Sequence, residues 1–343
     1  MHSSGAGSTK KSEKRMRDDF GAQPVMAGRE PRTAAMPGRA RDLPLIRYRA
    51  TAAAVSAVAV LLLTCGKEKS RDLAEPPART AAIAAETRQP SVPPADQYPG
   101  MDRASSRFVD SLLQSAAGVS GLAARTAFFC RALLDFPYDS TSPTGEGPEG
   151  TVDSAPLFNF GAYDCVTYIE HALALALARA PRDFLPRLTA IRYRDGVVDY
   201  TARNHFFIAD WMTANGGLLT VVDPPAGYRT TRIVSRRAFF KRKGISVDRP
   251  DTVLKLMLWT VPELSAAVAG NTPGDGVYIV AFLKKGWKYI DANHTGILEI
   301  SGGRALLFEA SRMRGSTIAL DAAAYLKGQE AFLEGMVVAR VKG

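Results

Sequence analysis

The most informative segment of the chain reads Phe160-Gly161-Ala162-Tyr163-Asp164-Cys165-Val166-Thr167-Tyr168-Ile169-Glu170. Apolar residues continue at helical spacing behind it, which predicts a helix over Asp164–Ala178. Asp is a good helix cap, so Cys165 opens the predicted helix. A cysteine at that position feels the positive end of the helix dipole and unpaired backbone N–H groups, and both favour the reactive thiolate. Cys165 is therefore a candidate nucleophile, against the alternative of a small apolar core residue.

A thiolate nucleophile needs a base, usually a histidine, and the chain has four histidines. His2 lies in a polar N-terminal tail, and His171 is well inside the predicted cysteine helix, pointing away from its start. His205 and His294 remain as candidates. The alternative for His294, at the start of an apolar segment, is a hydrogen-bonded structural residue of a strand.

The surrounding pattern predicts helices before strands. Apolar residues at helical spacing predict helices over Ser105–Ala117, Ser120–Phe136 and Asn204–Asn215, and a Gly- and Pro-rich loop follows from Pro137 to Gly161. The second half predicts strands over Val277–Leu283, His294–Ile300, Ala305–Ala310 and Gly335–Val341, with Ser301-Gly302-Gly303 as a hairpin turn. Helices followed by an antiparallel sheet indicate an α+β domain.

The region before this domain has the composition of an export signal and a tether. Residues 1–46 lack periodicity and are predicted to be disordered. Residues 47–65 are predicted to be a signal peptide, because two arginines precede an apolar run that is too short to span a bilayer comfortably. The run ends at Cys65, as in lipoproteins, so we expect lipidation of Cys65, with plain export or a short membrane anchor as alternatives. Residues 66–104 form an Ala- and Pro-rich linker, and the catalytic domain is expected over 105–343.

The charge of the chain argues against a nucleic-acid partner. The formal net charge is +10, but residues 1–104 carry 17 Lys and Arg against 11 Asp and Glu, and the remaining residues carry 27 against 23. The folded domain therefore holds only +4 of the charge, whereas nucleic-acid binding needs a basic patch on the domain. The basic run over residues 229–243 is predicted to be a solvated face, with attraction of an anionic substrate or of a lipid surface as the alternatives.

Three cysteines in 343 residues are too few for a disulfide framework. Cys130 lies in an apolar predicted helix and is expected to pack in the core, without a disulfide to Cys165. No cysteine pair or histidine cluster suggests a metal site, and no cofactor is expected.

Four blocks of the sequence resemble the N-acetylmuramoyl-L-alanine amidase-like family, within the NlpC-type, papain-like cysteine peptidases. The first is the Cys165 segment together with Leu173-Ala174-Leu175-Ala176. The second, Arg203-Asn204-His205-Phe206-Phe207-Ile208-Ala209-Asp210-Trp211, is similar to the family's Arg-x-His-aromatic segment. The third joins Gly274-Asp275-Gly276-Val277 to Asn293-His294-Thr295-Gly296-Ile297, and the fourth is the earlier pair Pro137-Tyr138. The blocks stand in the expected order over about residues 105–341.

The resemblance implies a papain-like fold, in which the cysteine at a helix N-terminus packs on an antiparallel sheet, with Cys165 as nucleophile and His294 as base. A third, polar residue orients the histidine and often belongs to a His-Ala-Ser triplet, which here reads Glu309-Ala310-Ser311. Glu309 suits the task, because a carboxylate holds one imidazole tautomer and favours the imidazolium. The alternative for Glu309 is a surface strand residue.

Four further residues are candidates for substrate contact. The resemblance places Tyr138 beside the cysteine, as a donor to the substrate or the oxyanion. Arg203 and His205 would line the cleft and hold the lactyl group of the sugar or a stem-peptide carboxylate, with structural packing as their alternative. Asp164 is adjacent to the nucleophile, although it suits a helix cap better than a catalytic acid.

The implied activity is hydrolysis of the amide bond between N-acetylmuramic acid and L-alanine in muropeptides or peptidoglycan. The protein is then expected outside the cytoplasm, in the periplasm, held at the membrane by its lipid anchor. Two alternatives stay open: an enzyme of the same fold that cuts another stem-peptide bond or another amide or thioester, and a non-catalytic cell-wall-binding lipoprotein.

Overall fold

The computed structural model describes residues 100–139, 144–145, 157–270, 272, 274–286 and 291–343. The chain divides into two units, Met1–Pro76 and Pro77–Gly343, and all described residues belong to the second. The predicted disordered extension, the signal peptide and Cys65 lie outside the described residues, as does most of the predicted linker. Within the described ranges no helix has the length and apolar character needed to cross a membrane.

Within the described residues, four α-helices precede the first strand, as the sequence predicts in outline. They are α1 (Arg103–Ser115), α2 (Leu122–Ala132), α3 (Cys165–Leu177) and α4 (Phe184–Arg192). Three shorter helices lie among the strands of the second half: α5 (Arg236–Arg242), α6 (Val261–Ala269) and α7 (Ala322–Gln329).

In the described part of the chain, eight strands form two antiparallel sheets. They are β1 (Leu219–Val221), β2 (Tyr228–Val234), β3 (Thr252–Leu258), β4 (Gly276–Lys284), β5 (His294–Ser301), β6 (Arg304–Ser311), β7 (Ser316–Asp321) and β8 (Leu333–Val341). Six of them form one sheet in the order β1-β8-β4-β5-β6-β7, and β2 pairs with β3 in the other. This arrangement confirms the predicted α+β class.

The six-stranded sheet lies between two apolar layers. Alternate residues of β4, such as Val277 and Ile279, belong to a large core shared with α1 to α4. The intervening residues, such as Tyr278 and Phe282, belong to a second core shared with α6 and α7. Because side chains alternate across a strand, each strand serves both layers.

Helix α3 is the centre of the larger layer, and its ends are fixed by side chains. Asp164 is the N-cap, and its Oδ1 accepts from the backbone N–H of Val166 at 2.9 Å and of Thr167 at 2.7 Å. The Thr167 hydroxyl accepts in turn from the Asp164 N–H, which completes a capping box. At the other end, the buried Arg125 guanidinium donates to the carbonyls of Leu175, Ala176 and Ala178. These bonds satisfy backbone groups that a helix terminus leaves unpaired.

Two predicted helices have different bounds in the structure. The predicted helix over Asn204–Asn215 is shorter in the structure, where a π-helical segment forms over Phe207–Met212. The buried Asp291 carboxylate accepts from the N–H groups of Ile208 and Ala209 at 2.8 and 2.7 Å. Helix α1 starts at Asp102 as the N-cap rather than at a serine, because Asp102 accepts from the N–H groups of Ala104 and Ser105. Sequence patterns identify such ends least reliably.

Strands β4, β5, β6 and β8 confirm the four predicted strands, and the predicted turn joins β5 to β6. Gly302 and Gly303 both have positive φ, at 56° and 77°, as a two-residue hairpin turn requires. The register pairs Ile297 with Phe308 and Ser301 with Arg304. This hairpin carries both His294 and Glu309.

Candidate active site

Cys165 is the first residue of α3, as predicted. The backbone N–H groups of Thr295 and of Cys165 itself lie near its thiol and act to lower the pKa of the thiol. Thr295 follows His294 directly at the start of β5. The start of the helix and the start of the strand therefore lie together at one end of the sheet.

The protonation state of Cys165 differs from the sequence expectation. The residue keeps part of its surface exposed, but burial around the sulfur raises the pKa of the thiol to about 12, and the negative charge of Asp164 acts in the same direction. The two backbone donors lower the pKa, yet they do not outweigh these effects. The group at rest is a thiol, so it needs a base to become a nucleophile.

The base candidate His294 is held by a carboxylate. Its Nε2 lies 2.7 Å from Oε2 of Glu309, and its side chain is 22% exposed whereas that of Glu309 is 5% exposed. Glu309 is not a surface strand residue. Continuing the β5–β6 register places Gly296 opposite Glu309, so the histidine reaches the carboxylate diagonally across the hairpin.

This contact defines the imidazole tautomer. Although burial opposes ionisation, hydrogen bonds from His294, Ser311 and Tyr325 keep the pKa of Glu309 below its usual value. An ionised carboxylate only accepts hydrogen bonds, so Nε2 of His294 carries the proton that it donates to Glu309. The lone pair of the neutral ring is then on Nδ1, which is free to take a proton from a thiol.

Two aromatic side chains complete the surroundings of this pair. The Phe282 ring of β4 packs nearly parallel to the His294 ring, with centroids 5.8 Å apart. Tyr325 of α7 lies edge-on to Phe282, at 5.6 Å, and burial and the charge of Glu309 raise the pKa of its phenol. Neither residue was a candidate from the sequence. An Ala-rich segment with a single tyrosine carries no chemical pattern, and only the packing of α7 on the sheet reveals the contact.

Tyr138 lies beside the cysteine, as the resemblance implies. Its backbone bridges Tyr163, two residues before Cys165, and its N–H donates to the carbonyl of Gly315. Burial raises the pKa of its phenol to about 12, with the charges of Cys165 and Asp164 as further causes. The phenol is therefore a protonated donor close to the thiol.

Asp164 acts as the cap of α3, and this has a consequence for oxyanion binding. The N–H groups of Val166 and Thr167 are occupied by Asp164 Oδ1. The sequence predicts unpaired N–H groups at the start of this helix, but two of them already donate to Asp164 and are not available to an oxyanion. The N–H groups of Cys165 and Thr295 and the hydroxyl of Tyr138 are the donors next to the sulfur.

Arg203 and His205 make hydrogen bonds to backbone carbonyl groups, and His205 also packs against aromatic rings. Nε2 of His205 lies 2.7 Å from the carbonyl oxygen of Tyr200, and its ring packs on Tyr200, Phe239 and Phe240 at 4.4 to 5.5 Å. Burial lowers the pKa of this imidazole to about 3, so it is neutral. Arg203 donates to the Thr144 carbonyl at 3.0 Å. These contacts fit the packing alternative better than substrate binding.

The basic run over residues 229–243 is only partly a solvated face. Arg232 is 2% exposed and pairs with Glu334, and Arg236 is 8% exposed and binds Asp210. The remaining five basic residues are exposed: Arg229, Arg237, Lys241, Arg242 and Lys243. The buried arginines tie β2 and α5 to the rest of the domain, which the charge pattern alone could not distinguish from surface charge.

Cys130 is fully buried in the core, as predicted, and burial raises the pKa of its thiol. Cys130 and Cys165 are both free. The described part of the chain contains no group of three or more histidine, cysteine or acidic side chains arranged to hold a metal ion.

The chain matches a known protein family. It is described as AmiA-like, N-acetylmuramoyl-L-alanine amidase-like, and its match covers residues 129–332. This range contains Cys165, His294, Glu309 and Tyr325 but ends before β8. No curated protein matches the chain in sequence.

Solved structures give a likeness in fold. A Legionella pneumophila protein of family DUF1460 is 17% identical, with a TM-score of 0.62, over 77% of this chain and 97% of its own. An N-acetylmuramoyl-L-alanine amidase from Bacteroides uniformis is 25% identical, with a TM-score of 0.49, over 65% of this chain and 100% of its own. At such identity the Legionella structure supports the fold alone.

Proposed function

We propose that this chain, which belongs to the AmiA-like family of N-acetylmuramoyl-L-alanine amidase-like proteins, is a cysteine-dependent amidase. The observation that carries the proposal is the hydrogen bond between His294 and Glu309, placed next to the thiol of Cys165. A neutral thiol, an imidazole whose free nitrogen is Nδ1 and a carboxylate behind it are the parts of a nucleophile–base–orienter group.

The reaction starts with proton transfer from the Cys165 thiol to Nδ1 of His294 as the sulfur attacks the amide carbonyl carbon. Glu309 stabilises the imidazolium that forms. The N–H groups of Cys165 and Thr295 and the Tyr138 hydroxyl are placed to donate to the developing oxyanion. The C–N bond then breaks, and the imidazolium gives its proton to the leaving amine, which leaves a thioester on Cys165.

Hydrolysis of the thioester reverses these roles. Water transfers a proton to Nδ1 of His294 as its oxygen attacks the thioester carbon. The C–S bond breaks, the thiolate takes the proton back from the imidazolium, and the carboxylic acid product leaves. His294 thus acts as base and acid in turn, and no cofactor takes part.

The proposed substrate is the amide bond between N-acetylmuramic acid and L-alanine in muropeptides or peptidoglycan. The family description supports this bond. Another stem-peptide bond is the competing choice, because the chemistry of the thiol and the imidazole is the same for any amide. A non-catalytic cell-wall-binding role is disfavoured by the formed contact between His294 and Glu309, which a site under no catalytic demand does not need.

The cellular location belongs to the same proposal. Export through a signal peptide over residues 47–65, with lipidation of Cys65, would put the domain in the periplasm beside peptidoglycan. Mass spectrometry of the membrane fraction tests this directly. A diacylated or triacylated Cys65 is expected, and an unmodified Cys65 would refute the anchor.

The decisive experiment is digestion of purified muropeptides followed by mass analysis of the products. Release of an intact stem peptide that begins with L-alanine is expected from the wild-type protein. Cys165→Ala should abolish release, while the melting temperature stays near the wild-type value, because the residue is small and partly exposed. Full activity of Cys165→Ala would refute the nucleophile, and cleavage between two amino acids would move the proposal to another stem-peptide bond.

A further inference from the structure

Residues 228–258 concentrate the positive charge of the folded domain. This segment forms β2, α5 and β3 and contains nine Lys and Arg against two Asp and Glu, a net charge of +7. Residues 105–343 as a whole carry 27 against 23, or +4, so the rest of the domain has a net charge of −3. Such a separation of charge favours an anionic partner at this part of the surface.

Most of these cations lie at the surface. Three of the nine are paired with carboxylates: Arg232 with Glu334, and Arg236 and Arg249 with Asp210. The other six are exposed: Arg229, Arg237, Lys241, Arg242, Lys243 and Lys255. The two carboxylates of the segment, Asp248 and Asp251, are exposed as well, so six positive charges face solvent with two negative ones.

The β2–β3 hairpin adds apolar surface to this charge. Side chains alternate across a strand, so one face of the hairpin packs on the core and the other faces solvent. On the solvent face Ile233 and Val253 are direct cross-strand partners, and they are 47% and 61% exposed. Arg229 and Lys255 lie on the same face. Exposed apolar side chains that adjoin one another, unlike isolated ones, indicate a contact surface.

Helix α5 continues this surface. The Ser235 hydroxyl and the Arg237 N–H donate to the Asp251 carboxylate at 2.9 and 3.2 Å, so the start of α5 lies beside the start of β3. Arg237 and Lys241 are one turn apart and therefore share the exposed side of the helix. They border an open cavity of about 640 Å³, whose opposite wall is the loop 244–248. The cavity gives a polar headgroup room between two cations.

We propose that the solvent face of the β2–β3 hairpin and the exposed side of α5 form a docking surface for an anionic phospholipid bilayer. A bilayer supplies phosphate headgroups for the cations and, directly below them, an apolar layer for Ile233 and Val253. Long Lys and Arg side chains reach the headgroups while the shorter apolar side chains insert. A soluble polyanion such as a nucleic acid would satisfy the charges only, because its binding rests on phosphate contacts.

The test is co-sedimentation of the full chain with phospholipid vesicles, which requires no amidase substrate. The vesicles contain phosphatidylcholine alone or phosphatidylcholine with about 30% phosphatidylglycerol. Every chain carries Cys65→Ser, so that no acyl chain contributes, and binding through the apolar run at residues 50–63 is measured on the neutral vesicles. We expect the chain to partition about tenfold more strongly onto the anionic vesicles at low salt. This preference should disappear at about 0.5 M salt, where the charges are screened.

Three single variants locate the surface. Lys241→Gln and Lys255→Gln should each weaken partitioning onto anionic vesicles about fivefold, because each removes one cation near the headgroups. Val253→Ser should weaken it about threefold through the loss of inserted apolar area. All three side chains are exposed, so the melting temperatures should stay near the wild-type value.

The matched controls are Met313→Ser and Arg314→Gln, an exposed apolar residue and an exposed cation in the turn between β6 and β7. This turn lies at the β7 edge of the six-stranded sheet, whereas the chain directly after β3 bridges to β8 near the other edge. Both controls should leave partitioning unchanged.

Equal partitioning of the wild-type chain onto neutral and anionic vesicles would overturn the proposal. An equal loss of binding in the β6–β7 controls would overturn it too, because the contact would then not be specific to the hairpin and α5. If the lysine variants lose binding and Val253→Ser does not, the surface is one for a soluble polyanion and the bilayer is ruled out as its partner.

Discussion

At Cys165, two physical effects act on one sulfur in opposite directions. The helix start and the N–H of Thr295 favour a thiolate, whereas burial and Asp164 favour the thiol, and the balance lies with the thiol at a pKa of about 12. Reactivity therefore depends on His294 taking the proton during attack. A position at a helix N-terminus alone does not make a cysteine acidic when its surroundings exclude water.

The first prediction concerns this thiol. Alkylation of Cys165 by iodoacetamide should accelerate about tenfold per pH unit between pH 7 and pH 10, because the thiolate fraction grows in that proportion below the pKa. The rate is measured by mass spectrometry of the peptide that contains Cys165, with Cys165→Ser as the unlabelled control. A rate that levels off above pH 6 would mean that the thiolate already exists at rest.

Single residues were predictable from the sequence where chemistry and spacing coincide. Cys165, His294 and Glu309 carry reactive groups in recognisable segments, and the structure places them at one end of the sheet. The approach of Tyr325 to Phe282 was not predictable, because it depends on the docking of α7 on the sheet. His205 has a reactive residue type but packs among aromatic rings, which a sequence pattern does not show.

At the scale of elements, helix α3 links the stability of the fold to the chemistry of the site through Asp164. Asp164→Ala removes the cap and should lower the free energy of unfolding by about 1 kcal/mol. Asp164→Asn keeps a capping oxygen but removes the charge that raises the pKa of the thiol, so it should retain stability and alkylate faster at pH 8. Thermal unfolding and alkylation rates measure both effects, and equal alkylation rates in Asp164→Asn and the wild type would contradict the role of the charge.

The same helix also makes stability depend on pH through His171. This residue is fully buried, with Nδ1 2.7 Å from the Thr167 carbonyl oxygen, and burial lowers the pKa of its imidazole to about 3. In the unfolded chain the His171 imidazole takes up a proton near pH 6.5, whereas in the folded protein it does so only near pH 3. The free energy of unfolding therefore falls as the pH drops through this window.

His171→Phe should remove this contribution, because Phe keeps the packing against Phe160, Tyr163 and Phe184 without a titratable group. We expect a shallower loss of stability between pH 6.5 and pH 4, by about 1 kcal/mol per pH unit, in urea unfolding at several pH values. His205→Phe is the matched variant, since burial lowers the pKa of His205 in the same direction. An unchanged pH slope in both variants would contradict this account.

At the scale of the whole molecule, Gly335 of β8 lies very close to the end of β3 and to the residue that follows it. A Cβ there would lie 2.8 Å from Cβ of Leu258 and 2.9 Å from the carbonyl oxygen of Trp259. Gly335→Ala should therefore push β3 away from β8 and lower the free energy of unfolding by about 2 kcal/mol. Gly328→Ala is the control, because that glycine of α7 faces open space and alanine favours helix. Equal stability of the two variants would contradict the close approach.

The general fold was predictable because α3 and the strands β4, β5, β6 and β8 have long apolar patterns with clear turn residues. The β2–β3 hairpin, α5 and α6 were not, since their segments mix charge with short apolar runs. Arg232 and Arg236 show the physical reason. Each of these arginines is buried against a carboxylate that is distant in sequence. The neighbouring residues in the sequence therefore predict a surface position for it.

The β5–β6 hairpin limits which insertions and deletions the site tolerates. Base and carboxylate sit on two adjacent strands joined by one tight turn, and side chains change faces at each residue. A single-residue insertion or deletion between them would turn Glu309 away from His294 while leaving the hairpin itself intact. Through evolution, the number of residues between His294 and Glu309 must therefore stay constant for the two side chains to meet.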